Sequence, residues 1–425
     1  MNKIDKSKEY GIVFTGGGTK GCYEIGAWKA FNEIGIRVKA VAGTSIGAIN
    51  GALFAQGDYD LAYEKWVNAN IQDYLNSSDD NPVTLFLSAV KEKGIDTTLL
   101  KKMIKNTIDE EKIRKSHIDY GLVTFSLSDM KPFMVMKKDI PQGALVDYIM
   151  ASSAFPLFKT PEINGKKYID GAVYDNTPAP LLAESGCKNI IIVDISGIGV
   201  NRNYTAEGLN IDNLYRIKNS QDICGVLEFD LDKIKRGIKM GYLDTMKAFG
   251  EFSGRKYYIS KKTSDYSDSK YFYPIDNTEL LDIFDIIASD AEGNTKSARY
   301  SLIKRIHEYS DDSLTMKNIL PSCLEIAAEI FAVDPIESYT VDELYELVIE
   351  KYTKGKNILK NTSKVDLIKG KYKSFDWTNI NRQNLVVYLM NLSEKETLSK
   401  KHLINFMPKV YITYLLIKFI ESRKS

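Results

Sequence analysis

The chain has 425 residues, of which 44% are hydrophobic and 27% charged, and its 57 basic and 56 acidic side chains leave a net charge of +1. This composition excludes a disordered chain, and the balanced charge provides no global field that would recruit nucleic acid or an anionic membrane. The length favours one large α/β domain followed by a second module.

The first 60 residues predict a strand-helix-strand unit of a parallel sheet. Residues 11–15 read as a short apolar strand, and residues 21–34 as a helix with its apolar side chains on one face. Gly35 follows where a left-handed C-cap is expected. Residues 36–42 then predict a buried strand, and a second helix is expected after Ser45.

The alternation of strands and helices continues along the chain. After a polar loop at residues 76–82, the segment up to about residue 116 looks helical. We expect strands at 121–126, 133–136, 168–170 and 190–193, and helices at 145–152 and 177–184. The α/β pattern extends to about residue 259, and helices dominate after the polar stretch 262–270. The sequence therefore predicts an α/β domain at residues 1–265 and a helical accessory domain at residues 271–425.

The N-terminus and the cysteines favour a cytoplasmic protein, although export by a route without a cleaved signal would leave the same sequence. The first residues run from charged side chains directly into a strand and lack the apolar stretch of a signal peptide. No run approaches the ~20 apolar residues that span a bilayer. The cysteines lack the paired spacing of a zinc or redox site, so we expect free thiols at Cys22, Cys187, Cys224 and Cys323.

A glycine-rich loop, Gly-Gly-Gly-Thr-Lys-Gly at residues 16–21, follows the first strand. Its backbone N–H groups lie at a helix N-terminus and are aimed at negative charge, which suits an oxyanion hole or a phosphate. The loop matches G-x-G-x-x-G, but the second strand ends in Val-Ala-Gly at residues 41–43, without the acidic residue that would hold a ribose. A dinucleotide site is therefore disfavoured, and the glycine spacing also excludes a Walker A loop.

Residues 43–47, Gly-Thr-Ser-Ile-Gly, match the G-x-S-x-G pattern of a nucleophile elbow. Small flanking residues permit the strained strand-to-helix turn that exposes the serine hydroxyl. The pentapeptide is common by chance, and Ser45 could simply cap a helix. Its position between a predicted strand and a predicted helix favours Ser45 as a nucleophile.

A serine nucleophile needs a base, and the histidines lack the setting of a catalytic loop. They are His117, His307 and His402. The chain order Ser, Asp, His of an α/β-hydrolase is still available, but a carboxylate within hydrogen-bond reach can replace histidine. Asp170, in an Asp-Gly-Ala turn after a short strand, is the favoured base. Asp175 and Asp194 are rival acids, for which we expect turn or cap roles.

The three motifs in this order, together with Ala-Ser-Ser-Ala-Phe-Pro at residues 151–156, resemble the patatin-like phospholipase family. The resemblance is strong to about residue 200 and leaves residues 270–425 unexplained. It implies a three-layer α/β/α domain with a mostly parallel sheet. Ala172, in place of the commoner second glycine of the Asp-Gly-Gly motif, is a mild departure that should not remove the site.

The same resemblance implies a Ser45–Asp170 dyad without histidine. The implied oxyanion hole consists of Gly16, Gly17 and Gly18. The implied activity is calcium-independent cleavage of acyl esters in phospholipids or related glycerolipids, with no metal and no organic cofactor. A lipid substrate is then the main partner, nucleic acid is not expected, and peripheral membrane contact or a protein activator is left open.

The C-terminal region offers a competing interpretation. Residues 408–420 are apolar and aromatic with lysines near both ends, as in an interfacial helix. The apolar side chains are spread around nearly the whole circumference of the helix, however, which favours a core helix. The protein could also be a catalytically silent or activator-dependent patatin-fold protein whose C-terminal domain binds a partner. The presence of both Ser45 and Asp170 argues against a catalytically silent protein.

Overall fold

The computed structural model describes residues 4–74, 94–260, 269, 271, 296–310, 316–360, 382–391 and 400–422. The chain divides into two compact units, residues 2–250 and residues 251–425. The first unit is an α/β fold with a mostly parallel, mixed sheet, and the second is rich in helices. The predicted fold class is therefore confirmed, whereas the domain boundary expected between residues 265 and 271 stays a prediction.

The first unit is built on an eight-stranded sheet. Its strands are β1 (Glu9–Phe14), β2 (Arg37–Thr44), β3 (Asp119–Ser126), β4 (Lys131–Met136), β5 (Glu162–Ile163), β6 (Lys166–Asp170), β7 (Asn189–Asp194) and β8 (Asn213–Lys218). The order is β5-β6-β3-β2-β1-β7-β8, and β4 also pairs with β3. Strands β1, β2, β3, β7 and β8 are parallel, while β4 and β6 run antiparallel to β3.

Helices pack on both faces of this sheet. They are α1 (Cys22–Ile34), α2 (Ile46–Gln56), α3 (Tyr59–Val67), α4 (Ile71–Tyr74), α5 (Thr98–Thr107), α6 (Glu110–Lys115), α7 (Leu145–Ser152), α8 (Ala179–Glu184) and α9 (Leu231–Ala248). Consecutive residues of a strand point to opposite faces. Val13 packs with Leu182 of α8, whereas Phe14 contacts Phe54 of α2, so β1 is buried on both sides.

Most predicted elements of the first unit are present. The glycine loop passes through a short 3-10 turn into α1, which ends at Gly35 with a φ of 76°, the expected left-handed C-cap. Five named elements were not predicted: α3, α4, β5, β8 and α9. The expected loop at residues 76–82 and the start of the helical segment that follows it lie outside the described residues. From residue 94 the described part of that segment contains α5 and α6.

The second unit is described by six helices and a small sheet. The helices are α10 (Lys296–His307), α11 (Met316–Ile330), α12 (Val341–Lys360), α13 (Arg382–Asn391), α14 (Lys400–Phe406) and α15 (Pro408–Ser422), and the strands are β9 (Phe252–Ser253), β10 (Tyr258–Ser260) and β11 (Ser338–Tyr339). Strand β10 pairs with β9 and β11, so residues 257–259 do not extend the large sheet.

Helix α15 contains the apolar segment 408–420. Its side chains from Val410 to Thr413, from Leu415 to Ile417 and at Ile420 are buried. They belong to the same core as Tyr257 and Ile259. The interpretation of this segment as a core helix is therefore confirmed. Within the described residues, none of the helices combines the length and the apolar character needed to cross a membrane.

Candidate active site

Ser45 occupies the turn between β2, which ends at Thr44, and α2, which begins at Ile46. Its backbone has φ 57° and ψ −125°. A residue with a side chain rarely adopts a positive φ, and such strain costs on the order of 1–3 kcal/mol. The surrounding contacts must therefore hold Ser45 in this conformation. The predicted strand-to-helix elbow is present.

The glycines on either side of Ser45 are required by close packing of the backbone. A Cβ atom on Gly43 would lie 2.0 Å from the carbonyl oxygen of Gly47, and one on Gly47 would lie 2.2 Å from the carbonyl oxygen of Phe14. One turn further along α2, a Cβ on Gly51 would meet the ring of Tyr120 at an ordinary 3.4 Å. The elbow thus needs glycine at 43 and 47, but not at 51.

Two serines at the end of α7 fix the backbone of Ser45. The N–H of Ser45 donates to Oγ of Ser152 at 3.1 Å, and that hydroxyl in turn donates to the carbonyl of Val123 at 2.7 Å. The hydroxyl of Ser153 donates to the carbonyl of Ser45 at 3.1 Å. The sequence shows these serines only as part of the segment 151–156, and their contact with Ser45 arises from tertiary packing.

The pairing register of β3 brings the elbow and the Asp-Gly-Ala turn together. Thr44 of β2 pairs with Val123, and Asp170 of β6 pairs with the next residue, Thr124. Strand β4 pairs with β3 along residues 121–126, so it occupies one edge of β3. A strand has only two edges. Strands β2 and β6 therefore share the other edge and meet where β2 ends.

The hydroxyl of Ser45 donates a 2.6 Å hydrogen bond to Oδ2 of Asp170. The other carboxylate oxygen, Oδ1, accepts the N–H of Ala172 at 2.8 Å, which fixes the plane of the carboxylate. A Cβ on Gly171 would lie 2.2 Å from the carbonyl of Val123, so this turn also requires its glycine. The replacement of a second glycine by Ala172 leaves the geometry intact.

Burial in apolar surroundings raises the pKa of the Asp170 carboxyl to about 6. The hydrogen bonds from Ser45 and from the N–H of Ala172 act in the opposite direction, because they stabilise the ionised form. Only 2% of the residue is exposed. At neutral pH the carboxyl is therefore ionised, yet basic enough to accept a proton.

The rival acids are held in other contacts. Asp175 accepts hydrogen bonds from the N–H of Thr177 at 2.9 Å and the hydroxyl of Tyr204 at 2.6 Å. Asp194 accepts the N–H of Ser196 at 2.9 Å and pairs with Arg216 at 2.8 Å. Both acids accept an N–H group two residues ahead, as expected of turn residues, whereas the ion pair of Asp194 with Arg216 was not expected.

Of the histidines, only His117 belongs to the same unit as Ser45, and it lies at the other end of the sheet. His117 is exposed and precedes β3, whereas Ser45 follows the carboxyl end of the parallel strand β2. His307 is exposed at the end of α10 in the second unit. His402 belongs to α14, and its side chain lies outside the described part of the chain.

The glycine loop approaches Ser45, but its three glycines are not equivalent. The N–H of Gly16 already donates to Oδ1 of Asn176 at 2.7 Å. Within the described part of the chain, the N–H groups of Gly17, Gly18 and Ile46 have no hydrogen-bond partner. The open donors next to the nucleophile are therefore those of Gly17, Gly18 and Ile46. The oxyanion hole stays a prediction, with Gly16 not available as a donor.

A cavity of about 130 Å³ opens beside Ser45 and has a mostly apolar lining. One wall comes from α2 and α5, and another from the loop before α9. The apolar lining includes Ile49, Leu53, Met103, Ile104, Phe155, Phe158, Leu227 and Phe229. A hydrocarbon chain is the ligand that such a surface favours. Sequence reasoning missed this cavity, because its walls come from distant segments.

No metal-binding group was found where the structure can be described. Across residues 4–74, 94–260 and the described parts of the second unit, no cluster of three His, Cys, Asp or Glu side chains is arranged around a common point. The four cysteines are free, as expected, and Cys22, Cys187 and Cys323 are buried. The absence of a cofactor stays a prediction.

Comparison with known proteins finds a family model that matches the segment containing the site. Residues 12–183, which include the glycine loop, Ser45 and Asp170, match the model of the family described as patatin-like phospholipase. The patatin-like phospholipase domain-containing protein 7 of Rattus norvegicus is 27% identical over 194 residues, covering 43% of this chain and 13% of that protein. Lysophospholipase NTE1 of Saccharomyces cerevisiae is 28% identical over 206 residues, covering 46% of this chain and 11% of that protein.

These matches cover only a small part of the relatives' own length. Among solved structures, VipD from Legionella pneumophila overlaps 98% of this chain and 92% of its own, with 14% identity and a TM-score of 0.38. A similarity at this score carries no argument about activity. A proposal on function therefore depends on the matched segment and on the geometry around Ser45.

Proposed function

Since its residues 12–183 match the model of the patatin-like phospholipase family, we propose that the protein is a lipid acyl hydrolase. Its substrates are fatty-acyl esters of glycerophospholipids, cleaved as by a phospholipase A or a lysophospholipase. One observation carries the proposal: the Ser45 hydroxyl donates to Asp170 at 2.6 Å at the side of an apolar cavity. A nucleophile, a base and a place for an acyl chain are thus adjacent.

In the proposed mechanism, Asp170 accepts the hydroxyl proton as Oγ of Ser45 attacks the ester carbonyl carbon. The tetrahedral intermediate collapses when Asp170 returns that proton to the departing alcohol, which leaves an acyl-enzyme. Water then attacks the acyl-enzyme, gives its proton to Asp170, and the fatty acid leaves as Ser45 is reprotonated. A carboxyl with a pKa of about 6 can both accept a proton and return it at neutral pH.

The negative charge on the carbonyl oxygen needs hydrogen-bond donors that are already in place. The N–H groups of Gly17, Gly18 and Ile46, which have no partner among the described residues, are the candidates for this role. Each such donor is worth roughly 3 kcal/mol of the barrier. The reaction draws on no metal or organic cofactor, because Ser45 supplies the nucleophile and Asp170 moves the proton. The cytoplasmic location stays a prediction, and peripheral membrane contact and a protein activator stay the open alternatives that the sequence gives.

The test is release of fatty acid from mixed phospholipid vesicles and lysophospholipid micelles, measured with and without a metal chelator. The wild type, Ser45→Ala and Asp170→Asn are compared, with Asp194→Asn as a matched control because that carboxylate pairs with Arg216 at 2.8 Å. We expect release by the wild type and the control, and a loss of at least about 10³-fold in the other two variants.

Each alternative outcome has a definite meaning. Equal release by the wild type and Asp170→Asn would remove Asp170 as the base. If the chelator abolishes the release of fatty acid, the reaction depends on a metal, which contradicts the proposed mechanism. No release by the folded wild type would favour the catalytically silent or activator-dependent alternative.

A further inference from the structure

A buried asparagine binds one end of the glycine loop at two points. Oδ1 of Asn176 accepts the N–H of Gly16 at 2.7 Å, and Nδ2 of the same amide donates to the carbonyl of Gly16 at 3.1 Å. Asn176 is fully buried. Because both atoms of the amide are used on one residue, the peptide groups on either side of Gly16 are fixed in orientation as well as in position.

Asn176 lies on the segment that carries the proposed base. Between them, the N–H of Asp175 donates to the carbonyl of Gly171 at 3.0 Å, and the N–H of Asn176 donates to the carbonyl of Val200 at 2.9 Å. The first hydrogen bond closes the turn that follows Asp170, and the second anchors this turn to Val200. Asn176 thus connects the glycine loop to Asp170 through the five intervening residues, 171–175.

A second buried asparagine holds the other end of the loop. Nδ2 of Asn50 donates to the carbonyl of Gly21 at 3.0 Å and to Oε2 of Glu24 at 2.7 Å, and its Oδ1 accepts the indole N–H of Trp66 at 3.1 Å. Asn50 belongs to α2, the helix that begins directly after Ser45. The loop is therefore fixed at one end to the segment of Asp170 and at the other to the helix of Ser45.

The space around Gly16 leaves little tolerance for movement. A Cβ on this residue would lie 2.5 Å from Oδ1 of Asn176 and 2.9 Å from Cβ of Ser45. The loop thus runs directly beside the nucleophile. A displacement of about 1 Å in such a site can cost about 10²-fold in rate.

We propose that Asn176 is a positioning residue for the oxyanion donors, with Asn50 as the second anchor of the loop. By occupying the N–H and the carbonyl of Gly16, Asn176 sets the direction in which the N–H groups of Gly17 and Gly18 point. It acts through Gly16 and does not contact the reacting atoms. This inference rests on the proposed acyl-hydrolase function.

The amide group, rather than the shape of the side chain, carries this role. Gly16 requires one acceptor and one donor from the residue at 176. An ionised aspartate at this position would place its second oxygen against the carbonyl of Gly16, since a carboxylate only accepts hydrogen bonds. A protonated aspartate would restore the donor. Asn176→Asp should therefore work better at low pH, relative to the wild type, than at high pH.

The experiment uses the full chain and p-nitrophenyl butyrate, a water-soluble ester that removes any dependence on a lipid surface. The variants are Asn176→Ala and the nearly isosteric Asn176→Asp. The matched control is Asn189→Ala, because Nδ2 of Asn189 also donates to a backbone carbonyl, that of Glu9 at 3.1 Å, but lies at the start of β7, away from Ser45.

We expect kcat of Asn176→Ala to fall by about 10²-fold while KM changes by less than about threefold. Inhibition by phenylboronic acid, which forms a tetrahedral adduct with a serine, should weaken by a similar factor. The ratio of Asn176→Asp to wild-type kcat should fall by about tenfold between about pH 5.5 and pH 8, because ionisation removes the donor. The control should keep wild-type values.

The possible failures can be separated. If the wild type cleaves the ester and Asn176→Ala keeps its kcat, the positioning role is overturned and the proposed function stands. The same conclusion follows if KM rises as much as kcat falls. If Asn176→Ala does not fold, a pH-independent ratio for Asn176→Asp overturns the role. No cleavage by the folded wild type would overturn the proposed function and this inference with it.

Discussion

Ser45 and Asp170 face each other because β2, which ends just before Ser45, and β6, which ends at Asp170, lie on the same edge of β3. Thr44 and Asp170 pair with consecutive residues of β3, Val123 and Thr124. The 2.6 Å hydrogen bond between the hydroxyl and the carboxylate is therefore set by the hydrogen-bond register of a sheet. Sites built on strands hold their geometry more closely than sites built on loops.

The ionisation of Asp170 predicts how activity depends on pH. The carboxyl must be ionised to accept the proton of Ser45, and its pKa is about 6 because of burial. Hydrolysis of a soluble ester should therefore be constant above neutral pH and fall tenfold per pH unit as the pH drops below about 6. The measurement is log kcat/KM against pH, and a midpoint near 4 would contradict a buried base.

The burial of the Asp170 carboxyl also predicts that this residue lowers the free energy of unfolding at neutral pH. The pKa of Asp170 in the folded protein lies above its ordinary value of 3.8, so the folded state binds the proton more tightly than the unfolded state. This contribution to stability is present below pH 3.8 and is lost as the pH rises through about 6. At pH 7, Asp170→Asn should raise the free energy of unfolding by about 1–3 kcal/mol while activity is lost.

Urea unfolding at pH 7 and at about pH 4 measures this effect. The gain should be present at the higher pH and disappear at the lower one. Asp194→Asn is the control, because it removes the partner of Arg216 and should give no gain. A loss of stability in Asp170→Asn at pH 7 would contradict the expectation.

The backbone contacts of the elbow predict which glycines tolerate a methyl group. Gly47→Ala would place its Cβ 2.2 Å from the carbonyl of Phe14, so the elbow would have to open. We expect a loss of at least about 2–3 kcal/mol of stability, together with loss of esterase activity. Gly51→Ala is the matched control in the same helix, where contact is ordinary and helix propensity favours alanine by about 1 kcal/mol. Thermal unfolding of the two variants should shift in opposite directions.

The sequence predicts the elbow and the Asp-Gly-Ala turn because their requirements are local. A strained turn needs small residues next to Ser45, and this requirement appears directly as glycines at 43 and 47. Asn176 and the serines that hold Ser45 carry no comparable signal, because their partners lie more than a hundred residues away in the chain. For the same reason the sequence could not show that the N–H of Gly16 is already occupied.

From the apolar cavity we predict that its depth determines which acyl-chain length the protein prefers. Met103 of α5 is half-buried and lines the cavity beside Ile104 and Leu53. A tryptophan at this position would fill part of the space that an acyl chain requires. Met103→Trp should therefore lower kcat/KM for p-nitrophenyl palmitate by about tenfold or more and leave the butyrate ester within about threefold, since each buried CH₂ contributes ~0.8 kcal/mol. Lys102→Trp, at the neighbouring exposed position of the same helix, is the control. An equal loss on both esters would mean that the acyl chain does not bind against α5.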